Sequence, residues 1–136
     1  TLQGLTLATT PVAIARAGME AVAFRFARIW ESLKDGAAPD PVVVASGNAL
    51  RHSPAWAQIF ADVLGRPITL SGEEEATSRG AAVLALQALG IQTAPAQDGP
   101  TFSPDRGRTT VYAAALARQE ALYNRLRPET APDAIS

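Results

Sequence analysis

The first third of the chain carries apolar residues three and four positions apart, the spacing that places them on one face of a helix. The stripe consists of Ala15, Met19, Val22, Phe26, Ile29, Trp30 and Leu33. Thr10 and Pro11 are a typical helix start, because the threonine side chain accepts a hydrogen bond from a free amide and proline has no amide hydrogen to satisfy. Arg16 and Glu20 are one turn apart and are predicted to pair. The helix is predicted to end with Gly36 as its C′ residue.

A second pattern, over residues 42–70, predicts a strand, a glycine turn, a helix and another strand. The run at 42–45 is apolar at every position, which is typical of a strand buried on both faces of a parallel sheet. The helix is predicted to lie between Ser53 and Gly65, and Ile68–Leu70 is the second strand. The predicted core face of this helix consists of Trp56, Ile59, Phe60 and Val63.

An acidic cluster follows the second strand and predicts the start of a further helix. Ser71 and Glu74 have the spacing of a capping box, in which each side chain bonds the other residue's backbone amide. Arg79 lies one turn after Glu75 and is predicted to pair with it. The small triplet at 80–82 is expected to let this helix lie close against the sheet.

Residues 91–107 are rich in proline, glycine and polar side chains and are predicted to form an exposed connection. A last helix is predicted over residues 109–126. Two parallel strands do not make an independent sheet. The predicted fold class is therefore α/β, with helices packed on an incomplete parallel sheet. The missing strands would come either from a larger protein of which this chain is the end, or from an oligomer that completes the sheet.

The composition narrows the classes of partner. The 136 residues suit one domain, and 47% of them are apolar, enough for a packed core. A net charge of −1, from 12 basic and 13 acidic residues, gives no basic face, so nucleic acid is not an expected partner. The sequence has no cysteine, and His52 is its only histidine, which excludes thiolate and multi-histidine metal sites. The composition does not exclude a Mg²⁺ site with oxygen ligands.

The sequence also indicates where in the cell the protein is expected to be. No apolar run approaches the roughly 20 residues of a membrane span, so no membrane partner is expected. The N-terminal residues have neither the basic start nor the apolar segment of a signal peptide. Since an initiator methionine is also missing, we expect a processed or excised piece of a longer, cytoplasmic protein.

The turn after the first strand carries the candidate chemistry, because ligands of such units usually bind at the carboxyl end of the strand. Gly47 would let the backbone approach a phosphate or ribose, and Asn48 tolerates a left-handed backbone and donates hydrogen bonds. Ser46 lies in the same turn, and Arg51 and His52 are placed to lie against a base. The signatures of a P-loop and of a dinucleotide fingerprint are missing. An ordinary tight connection between strand and helix explains the same residues and stays open.

For other residues the sequence favours a structural role over a catalytic one. Asp62 is expected to be solvated or to cap a helix, and Trp30 and Trp56 are expected to lie in the core. The spacing supports no serine–histidine–acid arrangement and no pair of catalytic carboxylates. No catalytic residue and no metal ligand are therefore assigned.

Three segments, in the order in which they occur here, resemble the C-terminal end of the FGGY carbohydrate kinases, most closely the gluconokinase-like branch. The matching residues are Arg16, Ala17, Glu20, Ser53, Pro54, Trp56, Gln58, Ile59, Ala61, Asp62, Val63, Leu64 and Gly65, together with the segment 74–90. The resemblance extends from Gly4 to Leu126. The family's glycine pair is here Gly47 followed by Asn48, a departure from the pattern.

The resemblance implies a fold and a ligand. Members of this family have two actin-like (ribonuclease H-like) domains, with ATP and the sugar bound in the cleft between them. Residues 1–127 would be the C-terminal, nucleotide-side portion of the second domain, and residues 128–136 a flexible tail. The implied cofactors are ATP and Mg²⁺, with ADP as the other bound nucleotide. The implied nucleotide-binding residues are Ser46, Gly47, Asn48, Arg51 and His52.

The resemblance also implies a function for the parent protein. It would transfer the γ-phosphoryl group of ATP to a hydroxyl of a sugar or sugar acid, with gluconate as the leading substrate. The family's catalytic aspartate and its sugar-binding residues lie upstream of the segment that this chain resembles, so the chain alone is expected to be inactive. Two alternatives stay open. One is a non-catalytic, truncated α/β interaction module that dimerises through its sheet edge; the other is an unrelated small nucleotide-binding module.

Overall fold

The computed structural model describes residues 1–126, and the predicted flexible tail at 128–136 lies outside the described residues. The helices are α1 (Pro11–Leu33), α2 (Asn48–Arg51), α3 (Pro54–Leu64), α4 (Ala76–Ala88) and α5 (Arg106–Leu126). The strands are β1 (Val43–Ala45), β2 (Ile68–Ser71) and β3 (Asp98–Phe102). The predicted unit of strand, turn, helix and strand is confirmed as β1, α3 and β2, with the short α2 inserted in the turn.

The described strands form one mixed sheet in the order β1-β2-β3. β1 and β2 are parallel, whereas β2 and β3 are antiparallel with Ile68 opposite Phe102. The predicted connection over 91–107 is exposed along most of its length, but it contains the strand β3, which its sequence did not predict. Its glycine and proline are typical of a turn, but Gly99 is what lets the two strands approach closely. A Cβ on Gly99 would lie 2.8 Å from the carbonyl oxygen of Leu70.

The core lies where α3 packs against α1 and the sheet. Its central cluster consists of Ala23, Phe60, Ala61 and Ile68. The small alanine side chains allow α1 and α3 to approach closely, because larger residues at the contact would hold the helices apart. Phe60 is buried as predicted, but Trp56, Ile59 and Val63 are only partly buried at the margin of this cluster.

Helix α1 turns a different face to the core from the one predicted. Thr10 caps it as expected, accepting from the amide of Ala13 at 3.2 Å. Its buried residues are Ala23, Phe24 and Ala27. Four large residues of the predicted stripe are 40% to 61% exposed, namely Val22, Phe26, Ile29 and Leu33, whereas Met19 and Trp30 are partly buried. The helix ends in a 3-10 turn in which Gly36 does not have a positive φ, so the predicted C′ glycine is wrong.

Strand β1 lies at one end of the described sheet. Val42, just before it, is 79% exposed, and Val44 within it is 54% exposed. The prediction that this strand is buried on both faces is therefore wrong for the described residues. β1 pairs with β2 along one edge, and within residues 1–126 its other edge has no partner strand.

The turn between β2 and α4 is built differently from the predicted capping box. Ser71 is the last residue of β2, and its hydroxyl accepts from the amide of Glu73 at 3.2 Å. The helix starts only after Glu75, and Arg79 pairs with Glu73 at 2.9 Å instead of with Glu75. The small triplet does not lie against the sheet either, since a Cβ on Gly80 would meet no atom within 4 Å.

Candidate functional site

Gly47 turns the chain between β1 and α2. It follows Ser46 directly after the strand and has φ 116° and ψ 142°, a conformation that side chains strongly disfavour. A Cβ on Gly47 would meet no atom within 4 Å, so the backbone conformation, and not a lack of space, requires glycine. Ser46 and Gly47 are both exposed at the carboxyl end of β1, where ligands of strand–helix–strand units usually bind.

The residues after Gly47 form the short helix α2, which the sequence analysis did not predict. Gly47 is the N-cap residue of α2, and Asn48 is already helical. Positive φ among residues 1–126 is confined to glycines, so Asn48 does not adopt the left-handed backbone that asparagine tolerates. His52 ends α2 with its side chain exposed. Ser53 caps α3 as predicted, accepting from the amide of Trp56 at 3.3 Å.

Arg51 has the most distinctive environment among the candidate site residues. Its side chain is 25% exposed, and its Nη2 lies 3.5 Å from Oε1 of Glu74, which is long for an ion-paired hydrogen bond. Its Nη1 is buried and has no hydrogen-bond partner among the described residues. A buried donor without an acceptor costs about 1–3 kcal/mol. An acceptor oxygen placed here would therefore stabilise the turn.

An apolar cavity of about 590 Å³, here called the α1–β1 groove, opens beside Gly47. It lies between the exposed stripe of α1, the strand β1 and the start of α3. Its lining residues are Val22, Phe26, Ile29, Trp30, Leu33, Val43, Val44, Ala45, Ser46, Gly47, Ala49, Leu50, Trp56, Phe60, Leu64 and Ile68. None of these side chains is charged, so the groove suits an apolar ligand. The polar side chains around Gly47, namely Ser46, Asn48 and Arg51, are here called the corner, and they suit a polar ligand.

Asp62 on α3 is buried, and the prediction of a solvated residue is wrong. Its side chain is 1% exposed. Its Oδ1 accepts from the amide of Asp105 at 2.8 Å and from Nε2 of Gln58 at 2.9 Å. Its Oδ2 accepts from Nε of Arg108 at 2.6 Å. Asp62 therefore fixes the start of α5, which begins three residues earlier than predicted, onto α3.

A second polar cluster joins α5 to α1. The predicted pair of Arg16 and Glu20 is confirmed, with 2.8 Å between Nε and Oε1. The hydroxyl of Tyr112 donates to Oε1 of Glu20 at 3.0 Å and accepts from Nη2 of Arg16 at 3.3 Å. Burial raises the pKa of Tyr112 above its ordinary value. No local sequence pattern predicts this contact, because Tyr112 is 92 residues from Glu20.

We expect the chain to lose stability as the pH rises from about 10 through the raised pKa of Tyr112. The unfolded chain releases this proton at the ordinary pKa, whereas the folded chain holds it to higher pH, so deprotonation favours unfolding. Tyr112→Phe removes this dependence and costs about 1 kcal/mol at neutral pH for the lost hydrogen bonds. Urea unfolding of both proteins between about pH 8 and pH 11 measures the difference. If the difference between the free energies of unfolding of the two proteins does not shrink as the pH rises, the prediction is wrong.

The polar groups at the corner are the hydroxyl of Ser46, the carboxamide of Asn48 and the guanidinium of Arg51. Such donors suit an oxygen-rich, anionic ligand better than a metal ion. Among residues 1–126, no three histidine, cysteine, aspartate or glutamate side chains lie close enough together to hold a metal ion. In the same part of the chain, no helix combines the length and the apolar character needed to cross a bilayer.

Residues 1–89 match the description "FGGY family of carbohydrate kinases, C-terminal domain". The chain therefore belongs to this family, as its sequence motifs predicted. It is similar to a ribulokinase from Bacillus licheniformis, with 31% identity over 134 residues, and to a glycerol kinase from Oleidesulfovibrio alaskensis, with 33% identity over 125 residues. These alignments cover 90% and 91% of this chain but only 24% and 25% of the relatives.

Solved structures confirm the predicted fold class. A xylulose kinase from Rhodospirillum rubrum superposes with a TM-score of 0.77 at 30% identity, over 93% of this chain and 27% of that one. A gluconate kinase from Lactobacillus acidophilus shares the fold with a TM-score of 0.73 at 24% identity, over 90% of this chain and 26% of that one. The chain thus has the actin-like kinase fold over about a quarter of the length of these proteins.

Proposed function

We propose that this chain is the C-terminal, nucleotide-side portion of an ATP-dependent carbohydrate kinase. The parent protein would transfer the γ-phosphoryl group of ATP to a hydroxyl of a sugar or sugar acid, in the cytoplasm. Membership of the family supports this, as do the relatives, which are named for kinases of ribulose, glycerol, xylulose and gluconate. Each name describes transfer of a phosphoryl group to a polyhydroxylated carbon chain. Gluconate is our leading substrate because the sequence motifs resemble most closely the gluconokinase-like branch.

The observation that carries the proposal is the exposed turn at Gly47, at the carboxyl end of β1, followed four residues later by Arg51, whose buried Nη1 has no hydrogen-bond partner among the described residues. We assign the adenosine-side wall of the cleft to Ser46, Gly47, Asn48, Arg51 and His52. The partly exposed guanidinium of Arg51 would donate to an oxygen of the nucleotide, and Asn48 would offer its exposed carboxamide. His52, exposed at the end of α2, would present its flat ring to the base.

In this proposal the chain binds and orients ATP but does not carry out the chemistry. Phosphoryl transfer needs a residue to position the accepting hydroxyl and Mg²⁺ to neutralise the charge of the phosphates. The described residues do not fit a magnesium site, since they offer no cluster of carboxylates. The buried carboxylate of Asp62 is occupied by three donors of its own structure. The isolated chain is therefore expected to be inactive.

Arg51→Met, made in the protein translated from the complete reading frame, is expected to raise the KM for ATP at least about tenfold. Methionine keeps an apolar stem but removes the donors, and a hydrogen bond from a charged group is worth about 1.5–3 kcal/mol. The assay follows ATP-dependent phosphorylation with gluconate, xylulose, ribulose and glycerol as acceptors. The isolated chain is expected to bind ADP more weakly than about 1 mM.

Arg118→Met is the matched control, because Arg118 is exposed on α5. Its KM for ATP is expected to equal that of the unaltered protein. Equal effects of the two substitutions would contradict the assignment of Arg51 to the nucleotide site. If the unaltered full-length protein phosphorylates none of the four acceptors, the proposed reaction is wrong for these substrates.

One edge of β1 has no partner strand within residues 1–126, and this favours one second candidate, a non-catalytic interaction module that dimerises through this edge. Sedimentation of the isolated chain distinguishes the two candidates. A stable dimer supports the module, whereas a monomer together with kinase sequence upstream of Thr1 in the reading frame supports the enzyme.

A further inference from the structure

The carboxyl ends of β1 and β2 lie side by side, because the two strands are parallel neighbours and Ala45 pairs with Leu70. The turns that follow the two strands therefore open at the same edge of the sheet. The first turn carries Gly47 and α2, and the second turn, over residues 72–75, leads into α4. Side chains of the second turn are thus placed to contact the corner.

Three consecutive glutamates occupy the second turn, and each has different surroundings. Glu73 pairs with Arg79 on α4 at 2.9 Å. Glu75 directly precedes α4, and its exposed side chain does not cap the helix. Glu74 reaches across to α2, with its Oε1 3.5 Å from Nη2 of Arg51, which is 23 positions away in the sequence. Glu74 is therefore the glutamate of this turn that joins it to the corner.

The direction of the Arg51 guanidinium depends on what its two terminal nitrogens contact. Nη1 is buried and has no hydrogen-bond partner among the described residues, whereas Nη2 faces Glu74. The helix that carries Arg51 has four residues, too few to be stable without contacts to the rest of the protein. Because an arginine side chain also has many rotamers, a contact at its far end is needed to fix the guanidinium. Glu74 provides this contact.

We propose that Glu74 is a positioning residue, which holds the guanidinium of Arg51 in the direction from which it donates to the nucleotide. This inference rests on the proposed function of the corner. The ion pair adds little to the stability of the fold, since the side chain of Glu74 is 81% exposed and water screens its charge. Its effect is on binding, because a guanidinium that is already oriented loses less freedom when the nucleotide binds.

Glu74→Gln, made in the protein translated from the complete reading frame, is expected to raise the KM for ATP about threefold and to leave kcat unchanged. Glutamine keeps the size of the side chain but removes the charge that orients Arg51. In an Arg51→Met background the same substitution is expected to have no further effect, because no guanidinium is left to orient. The acceptor is whichever of gluconate, xylulose, ribulose and glycerol the unaltered protein phosphorylates.

Glu75→Gln is the matched control, because it removes the same charge one position later, from an exposed side chain that does not cap α4. Its KM for ATP is expected to equal that of the unaltered protein. An equal change of KM in the two glutamine variants would reveal an effect of net charge and overturn the proposal. A lower KM in Glu74→Gln would overturn it as well, since the carboxylate would then repel the nucleotide. So would a rise that persists in the Arg51→Met background.

Hydrogen exchange tests the contact between Glu74 and Arg51 without nucleotide. The amides of Arg51 and His52 donate to carbonyl oxygens four residues earlier, at 3.2 and 3.0 Å. We expect these two amides to exchange at least about threefold faster in Glu74→Gln than in Glu75→Gln, while unchanged exchange of the α3 amides shows that both variants stay folded.

The two measurements separate a failure of this inference from a failure of the proposed function. Equal exchange in the two glutamine variants overturns the inference, even where the unaltered protein is an active ATP-dependent kinase. If exchange differs as expected but the unaltered protein phosphorylates none of the four acceptors, the proposed function is wrong, and the nucleotide role of Glu74 is wrong with it.

Discussion

Replacing Asp62 by alanine lowers the free energy of unfolding by about 3 kcal/mol. The carboxylate is 1% exposed and accepts from Gln58, from the amide of Asp105 and from Arg108. Alanine leaves the amide of Asp105 without its acceptor in a partly buried site, whereas Nε2 of Gln58 keeps its bond to the carbonyl oxygen of Ser103 at 2.8 Å. The side chain of Arg108 is 52% exposed, so its guanidinium turns to solvent. This keeps the loss at the low end of the range for broken buried pairs.

Two further variants separate the charge of Asp62 from its hydrogen bonds. Asp62→Asn keeps an acceptor oxygen without the charge and is expected to cost about 1–2 kcal/mol. Asp40→Ala removes an exposed carboxylate and is expected to change the stability by less than about 0.5 kcal/mol. Urea unfolding followed by circular dichroism compares all three proteins. If Asp62→Ala proves as stable as Asp40→Ala, the bonds to α5 contribute nothing to stability.

The sequence predicted best the features that depend on neighbouring residues. The caps at Thr10 and Ser53 and the pair of Arg16 and Glu20 are confirmed, because each joins residues three or four positions apart. The two parallel strands were predicted from their β-branched runs. The motifs of the family were recognised for the same reason, since their residues are close together in the sequence.

Features that join distant segments were missed. Strand β3 is held by pairing with β2 and has a sequence typical of a turn, so its own residues do not predict it. The partners of Asp62 at the start of α5, Asp105 just before the helix and Arg108 within it, are 43 and 46 residues away, and no local pattern connects them. The stripe on α1 was predicted to be buried because it is apolar. It is exposed here because α1 packs on α3 through its alanines, and the stripe faces the groove beside β1.

Gly47→Ala is expected to lower the free energy of unfolding by about 2 kcal/mol, the middle of the range for one residue held in a disfavoured conformation. An added Cβ meets no atom within 4 Å, so the cost comes from the backbone, whose φ is 116°. If alanine instead adopts a negative φ, the chain leaves β1 in another direction, and Asn48 and Arg51 are displaced from the corner. In the full-length protein, ADP binding is then expected to weaken at least about tenfold, a loss of about 1.4 kcal/mol.

Two other glycines provide matched controls, because a Cβ on Gly18 or Gly36 also meets no atom within 4 Å and neither has a positive φ. Gly18→Ala, inside α1, is expected to stabilise the chain by about 1 kcal/mol, and Gly36→Ala to change the stability little. If stability and ADP affinity fall only in Gly47→Ala, the turn at Gly47 is part of the nucleotide site. If the stability falls there but the affinity does not, the turn is an ordinary strand–helix connection, and the assignment of the nucleotide site to residues 46–52 is wrong.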